Sequence, residues 1–392
     1  MKPFSKITND TNAPNQPMKP ILPYGKQSID KSDIDAVIEV LQSDFITTGP
    51  KISEFEKAVC DFTGAKCAVA VSSGTAALHC AMFAAGIRKG DEVIVTPMTF
   101  VASSNAILYC GGTPVFADVI PGSLLIDPME VKKKITGRTK AVVAVDYAGQ
   151  PCDYDALSSI CSKHGLLLIS DACHSLGGAY RKSNVGTLAD MTVLSFHPVK
   201  HITTGEGGMI LTDNADFAGK MKMFRGHGIT TDYRQREEKG SWFYEMAELG
   251  YNYRITDFQC ALGISQLKKL PGWINRRQAI AAIYNNAFKG NHSIIPISKS
   301  PDVSHAYHLY VVKIAKADRN SIFTELRNAG IGVNVHYIPV HLHPYYRKTF
   351  GTGVGLCPVA EDAFGQIISL PMFPGLKDED LEYVVGKVNR IP

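Results

Sequence analysis

The feature that most limits what this chain can fold into is a succession of short, uniformly apolar runs separated by helix-length stretches. The runs lie at 67–71, 92–95, 114–117, 141–145, 166–169, 191–194 and 209–211. A run without polar alternation belongs to a strand covered on both faces, so the expected architecture is α/β, a mostly parallel seven-stranded sheet between helices. Helices are expected at 32–41, 50–62, 76–85, 101–109, 128–135, 154–163 and 216–224, with Ser32-Asp33 capping the first and Pro50 opening the second. Two more, 257–270 and 273–288, are divided by Pro271-Gly272. Beyond them, strand 307–314, helix 320–329 and strand 332–335 give a smaller α+β layer. The expected organisation is a loose lead-in over 1–20, a large domain over 21–271 and a small C-terminal domain over 272–392.

Composition removes several function classes. A net charge of +4 over 392 residues gives no support for nucleic-acid or membrane binding. No basic–apolar leader precedes the fold, and no apolar run approaches the roughly 20 residues of a membrane helix. The nine cysteines are scattered, without a Cys-x-x-Cys pair. They fit the reduced thiols of a cytoplasmic protein, and neither a disulfide frame nor a zinc site is expected.

Three stretches carry chemistry. The first is Ser195-Phe196-His197-Pro198-Val199-Lys200, which leads from one apolar run through Gly205-Glu206-Gly207-Gly208 into the next. A lysine between buried strands is unusual, because an ammonium group is rarely left without water or a partner. Partial desolvation lowers its pKa and frees the amine for a Schiff base; the alternative is a surface lysine in a strand connection. The second stretch, Ser72-Ser73-Gly74-Thr75, joins a strand to a helix. It is either a phosphate cradle at the positive helix end or an ordinary N-cap by Ser73 or Thr75. In the third, Asp171 ends a buried strand, where open α/β sheets bind ligands, or it caps the next loop. Together an anion cradle, a carboxylate and an amine are what pyridoxal 5′-phosphate (PLP) requires.

With these motifs in this order, the chain resembles the DegT/StrS family of PLP-dependent nucleotide-sugar aminotransferases, from about Pro23 to the C-terminus. Asp171-Ala172-Cys173-His174, Gly250-Tyr251-Asn252-Tyr253-Arg254 and His336-Tyr337-Ile338-Pro339-Val340-His341 add to the likeness. Within the family, the run from Ser195 to Thr204 and the stretch 265–269 are similar to the branch that serves pseudaminic acid biosynthesis. His201 departs from it, standing where that branch is expected to have proline.

The resemblance implies a fold type I aminotransferase and assigns roles by matching position. Lys200 joins the cofactor aldehyde and moves the proton, and Asp171 keeps the pyridine nitrogen protonated. Ser73, Gly74, Thr75 and Ser195 hold the phosphate. Phe100 stacks on the ring, where core packing is its ordinary role, and His174 sits near the ring hydroxyl. Asn252, otherwise a turn asparagine, is lent across a homodimer interface to the partner's phosphate. His336, Tyr337 and His341 line the nucleotide-sugar pocket; a metal site there is not expected, because Pro339 intervenes and acidic neighbours in the sequence are missing. The implied substrates are L-glutamate and a UDP-linked keto sugar, with the cofactor passing through its pyridoxamine form. A dehydratase branch of the family carries histidine in place of the lysine; here the lysine is present and the histidine follows it at 201.

Overall fold

The computed structural model describes residues 21–231, 236, 240–315 and 317–391, so the expected lead-in over 1–20 lies outside them. Seven strands form the central sheet: β1 (Cys67–Val71), β2 (Glu92–Val95), β3 (Thr113–Phe116), β4 (Thr139–Val145), β5 (Leu167–Asp171), β6 (Met191–Ser195) and β7 (Gly208–Thr212). Their spatial order is β1-β7-β6-β5-β4-β2-β3. Every neighbour pair is parallel except those made by β7, which runs antiparallel to both β1 and β6. Val69, Ile94, Val143, Ile169, Val193 and Ile210 are all fully buried, as strands covered on both faces require.

The flanking helices are α1 (Lys31–Leu41), α2 (Pro50–Thr63), α3 (Gly74–Ala84), α4 (Ala102–Tyr109), α5 (Pro128–Lys134), α6 (Tyr154–His164) and α7 (Ala215–Arg225). The cap of α1 differs from the sequence expectation. Asp30 takes the N-cap position and Asp33 bonds back to its amide, a reciprocal arrangement that satisfies two otherwise free donors. The expected break at Pro271 is also absent. One helix, α8, runs from Asp257 to Ala287 with Pro271 inside it. Proline removes a single internal hydrogen bond, and the buried Leu267, Leu270, Ile274 and Arg277 on either side hold both halves in line.

The second half of α8 packs on a separate apolar cluster with Tyr284, Ile294, Tyr310, Ile368, Leu381 and Val388. Its sheet is β8 (Ile294–Pro296), β9 (Tyr310–Ile314) and β10 (Ile367–Leu370), all antiparallel. The stretch expected as a strand at 332–335 forms only isolated bridges, Ile331 with Leu22 and Asn334 with Ser369. The N-terminal segment therefore crosses to this part of the molecule before returning to α1. Among the described residues, no helix is long and apolar enough to cross a membrane.

Candidate active site at the strand ends

Strand register brings the three stretches together. Gly208 starts β7 and pairs on one side with Val71, the last residue of β1, and on the other with Ser195, the last residue of β6. A Cβ on Gly208 would lie 2.4 Å from the Ser73 carbonyl oxygen, so only glycine permits this approach. A Cβ on Gly74 would meet the Ser195 side chain at 3.0 Å and the Cys173 sulfur at 3.4 Å. The start of α3 is therefore pressed against the ends of β5 and β6. Ser73 is the N-cap of α3, its hydroxyl accepting from the Ala76 amide at 3.0 Å. The following amides and the Ser195 hydroxyl remain at the positive end of the helix, suited to an anion.

Asp171 closes β5 and is buried. Its carboxylate accepts from the Ser103 hydroxyl at 2.6 Å and from the Cys173 amide at 3.3 Å, and Ser103 in turn meets Thr99 at 2.8 Å. These bonds fix the carboxylate without a cation. Lys200 follows β6, half-buried, and its amine makes no hydrogen bond or ion pair among the described residues. Burial lowers its pKa, against the opposing pull of Cys173 and Asp171 nearby. An amine held this way is neutral more often than a surface lysine, and a neutral amine is a nucleophile.

His174 is buried beyond Asp171, with Nε2 3.1 Å from the Tyr337 hydroxyl and Nδ1 without a partner. Burial, then the charge of Lys200, holds its pKa well below the usual range, so the ring is neutral. Phe100 is 57% exposed, with its ring 6.1 Å from that of Tyr337, so it is not a core residue.

The other expected site residues are placed unevenly. His336 is buried beside Tyr337, its ring bonded to the Ser369 hydroxyl at 2.8 Å, and burial with the Lys200 charge takes its pKa down to about 4. His341 is not brought to this group. It is fully buried, its Nε2 lies 2.9 Å from the Glu361 carboxylate, and its ring faces Phe116. That carboxylate also accepts from the Gly355 and Cys357 amides, so the pair ties the loop down. Asn252 is exposed and bridged through its backbone to Gly226.

Several contributors had escaped the sequence reading. Ser103 sits 68 positions before Asp171, and no spacing links the two. Cys173 lies within Asp171-Ala172-Cys173-His174, where the sequence alone assigns it no role. The His308 ring lies 4.3 Å from that of His174, tilted by 40°, and His201 lies 5.7 Å from His308 and bonds to the Ala306 carbonyl at 3.1 Å. Among the described residues, no cluster of three or more histidine, cysteine or acidic side chains could hold a metal ion.

Residues 27–389 match the DegT/DnrJ/EryC1/StrS aminotransferase family. The spore coat polysaccharide biosynthesis protein SpsC of Bacillus subtilis is 41% identical over 376 residues, covering 94% of this chain and 97% of that protein. The structure of Helicobacter pylori PseC, an aminotransferase involved in the biosynthesis of pseudaminic acid, superposes with a TM-score of 0.88 at 35% identity, covering 95% of this chain and 99% of the other. A sugar aminotransferase of Streptococcus pneumoniae, Spr1654, solved in a PMP form, gives 0.90 at 32% identity over 94% of this chain and 98% of that one. At these identities and coverages, the chain belongs to the DegT/DnrJ/EryC1/StrS aminotransferase family.

Proposed function

We propose that this aminotransferase takes the amino group of L-glutamate and passes it to carbon 4 of a UDP-4-keto-6-deoxy-N-acetylhexosamine, giving UDP-4-amino-4,6-dideoxy-N-acetyl-β-L-altrosamine. The observation that carries the transamination is Lys200, half-buried and unpaired beside the fixed carboxylate of Asp171. The choice of sugar rests on the likeness to PseC and on the run from Ser195 to Thr204.

The residues present fit PLP on this structure's own terms. There is an amine without a partner, a buried carboxylate held by neutral donors, a helix start where any Cβ at Gly208 would collide, and a buried His174 nitrogen left open. When bound, the cofactor supplies an aldehyde and an electron-withdrawing ring. Gly74, Thr75 and Ser195, with the Ser73 backbone, hold the phosphate, and Asp171 holds a proton at the ring nitrogen. His174 would lie toward the ring hydroxyl and Phe100 would pack on the ring. The Lys200 amine moves the proton of the substrate carbon. Asn252 reaches a second copy of the chain, so the working unit is a homodimer. His336 and Tyr337 border the sugar pocket, while His341 supports it through Glu361. The division into a large unit over 21–271 and a small one over 272–392, and a cytoplasmic location, belong to the same reading.

A second acceptor is favoured by one observation: SpsC, at 41% identity, is a spore coat polysaccharide biosynthesis protein, so another nucleotide-linked 3- or 4-keto sugar is the competing substrate. The test is incubation with glutamate and UDP-linked 4-keto sugars of both configurations, followed by NMR of the product. Amination at carbon 4 with the L-altro configuration supports the proposal. Turnover only of other keto sugars overturns the choice of substrate.

A further inference from the structure

One aromatic cluster behind the phosphate cradle plays no part in the chemistry above. His79 lies on α3, one and a half turns after Gly74, and is 3% exposed. Its ring stands 5.0 Å from Phe224, 5.0 Å from Tyr251 and 5.9 Å from Tyr253. Its Nδ1 is 3.1 Å from the Tyr253 hydroxyl. Burial takes its pKa down to about 4, so at neutral pH this is a bond between neutral groups.

The segment it holds carries Asn252. Tyr251 and Tyr253 stack on each other at 5.1 Å with their planes 9° apart, so both rings lie on one side of the extended segment. Asn252 between them faces the other way, and it is exposed. The backbone is tied as well. The Tyr251 and Tyr253 amides donate to the Phe224 and Arg225 carbonyls at the end of α7, and the Ser72 amide donates to the Tyr253 carbonyl at 2.8 Å. Tyr253 thus touches the cradle twice, through its carbonyl to the turn and through its hydroxyl to the helix.

We infer that the His79–Tyr253 bond makes the start of α3 and the 250–254 segment one rigid piece, with His79 a positioning residue for the cofactor phosphate and for the outward presentation of Asn252. The cradle on one face and the asparagine on the other are then set by the same contact. A cofactor that orders the cradle of one subunit also orders the Asn252 offered to its neighbour. This rests on the reading of Ser73–Thr75 as the phosphate site and of Asn252 as a residue for a second copy.

The test strips the full-length protein of cofactor and titrates it with PLP, following the bound chromophore. The variants are His79→Phe, which keeps a packed ring, Tyr253→Phe, which removes only the hydroxyl, the double variant, and His79→Asn, whose amide can reach the hydroxyl. A hydrogen bond of ordinary net strength corresponds to roughly a three- to tenfold rise in half-saturating PLP for either phenylalanine variant. The double variant is expected to be no weaker than the worse single one, and His79→Asn to recover most of the loss. Borohydride trapping at saturation should still mark Lys200 in each. Unchanged affinity in both single variants, or losses that multiply in the double, overturns the inference while leaving the proposed reaction standing. Failure of the unsubstituted chain to take PLP at Lys200 overturns both.

Discussion

The surroundings of Lys200 and the loop from His336 to Glu361 are built from the same kinds of side chain, buried histidine near a carboxylate that is buried (Asp171) or part-buried (Glu361), but their polar atoms are engaged differently. In the loop the cation-forming and anion-forming groups meet directly, His341 on Glu361 at 2.9 Å, and backbone amides take the remaining carboxylate positions. At the strand ends they do not meet. Asp171 is satisfied by Ser103 and an amide, and the Lys200 amine has no bond among the described residues, whereas an open ring nitrogen is common to both regions, Nδ1 of His174 here and Nδ1 of His341 in the loop. An unpaired polar group is costly where water is scarce. An open amine at Lys200 fits a site that a ligand completes, whereas the His341–Glu361 pair fits a fastening.

The sharpest break of this contrast is removal of the open amine. Lys200→Ala is expected to lower turnover of glutamate and keto sugar by at least about 10³-fold with little change in melting temperature, measured by product formation and calorimetry. Near-normal turnover would place the chemistry elsewhere. Asp171→Asn keeps the hydrogen bond from Ser103 but removes the charge. Its expected loss is on the order of 10²-fold in kcat, with PLP still bound in the absorption spectrum.

Two carboxylates sharpen the contrast through pH. Asp146, fully buried next to β5 with only neutral donors, has its pKa raised by burial to about 7. Its folded state prefers the proton, so its contribution to stability is present below about pH 4 and is lost as pH rises through about 7. Asp146→Asn should therefore gain stability relative to the parent at pH 8, by a few kcal/mol at most, and not at pH 4. Glu361 behaves oppositely. Burial raises its pKa, but the Gly355 amide and His341 outweigh that and hold it below the usual carboxylate value. Its contribution is present above the unfolded value and lost as pH falls. Denaturant melts of Asp146→Asn and of Glu361→Gln across pH 3–9 check the two signs.

The smallest expected effect is on the fastening itself. His341→Ala should cost about 1.5–3 kcal/mol, the range for a hydrogen bond to a charged group, while changing kcat at saturating substrate by less than about threefold. A large kcat loss without a stability loss would return His341 to the pocket lining.

The sequence carried much of this site because its parts leave local marks. Apolar runs without alternation disclose strands buried on both faces, and a Ser-Gly-Thr step discloses a helix start, whatever the rest of the chain does. Other features leave no such mark. The reversed direction of β7 is invisible in Met209-Ile210-Leu211, since apolar composition is the same for either direction. Pro271 reads as a break, yet packing on both sides of it carries α8 through. Ser103 becomes part of the site only when α4 comes against β5. His336, Tyr337 and His341 share one motif, and only the fold separates those that reach the cluster from the one that turns to Glu361.

The central claim is that the Lys200 amine is open because the cofactor aldehyde is its partner. Sodium borohydride treatment of PLP-saturated protein, digestion and mass mapping of the peptides test it directly. A single reduced pyridoxyl adduct on the peptide containing Lys200 is the expected result. An adduct confined to any other lysine, or none in protein that has taken up PLP, would contradict the account.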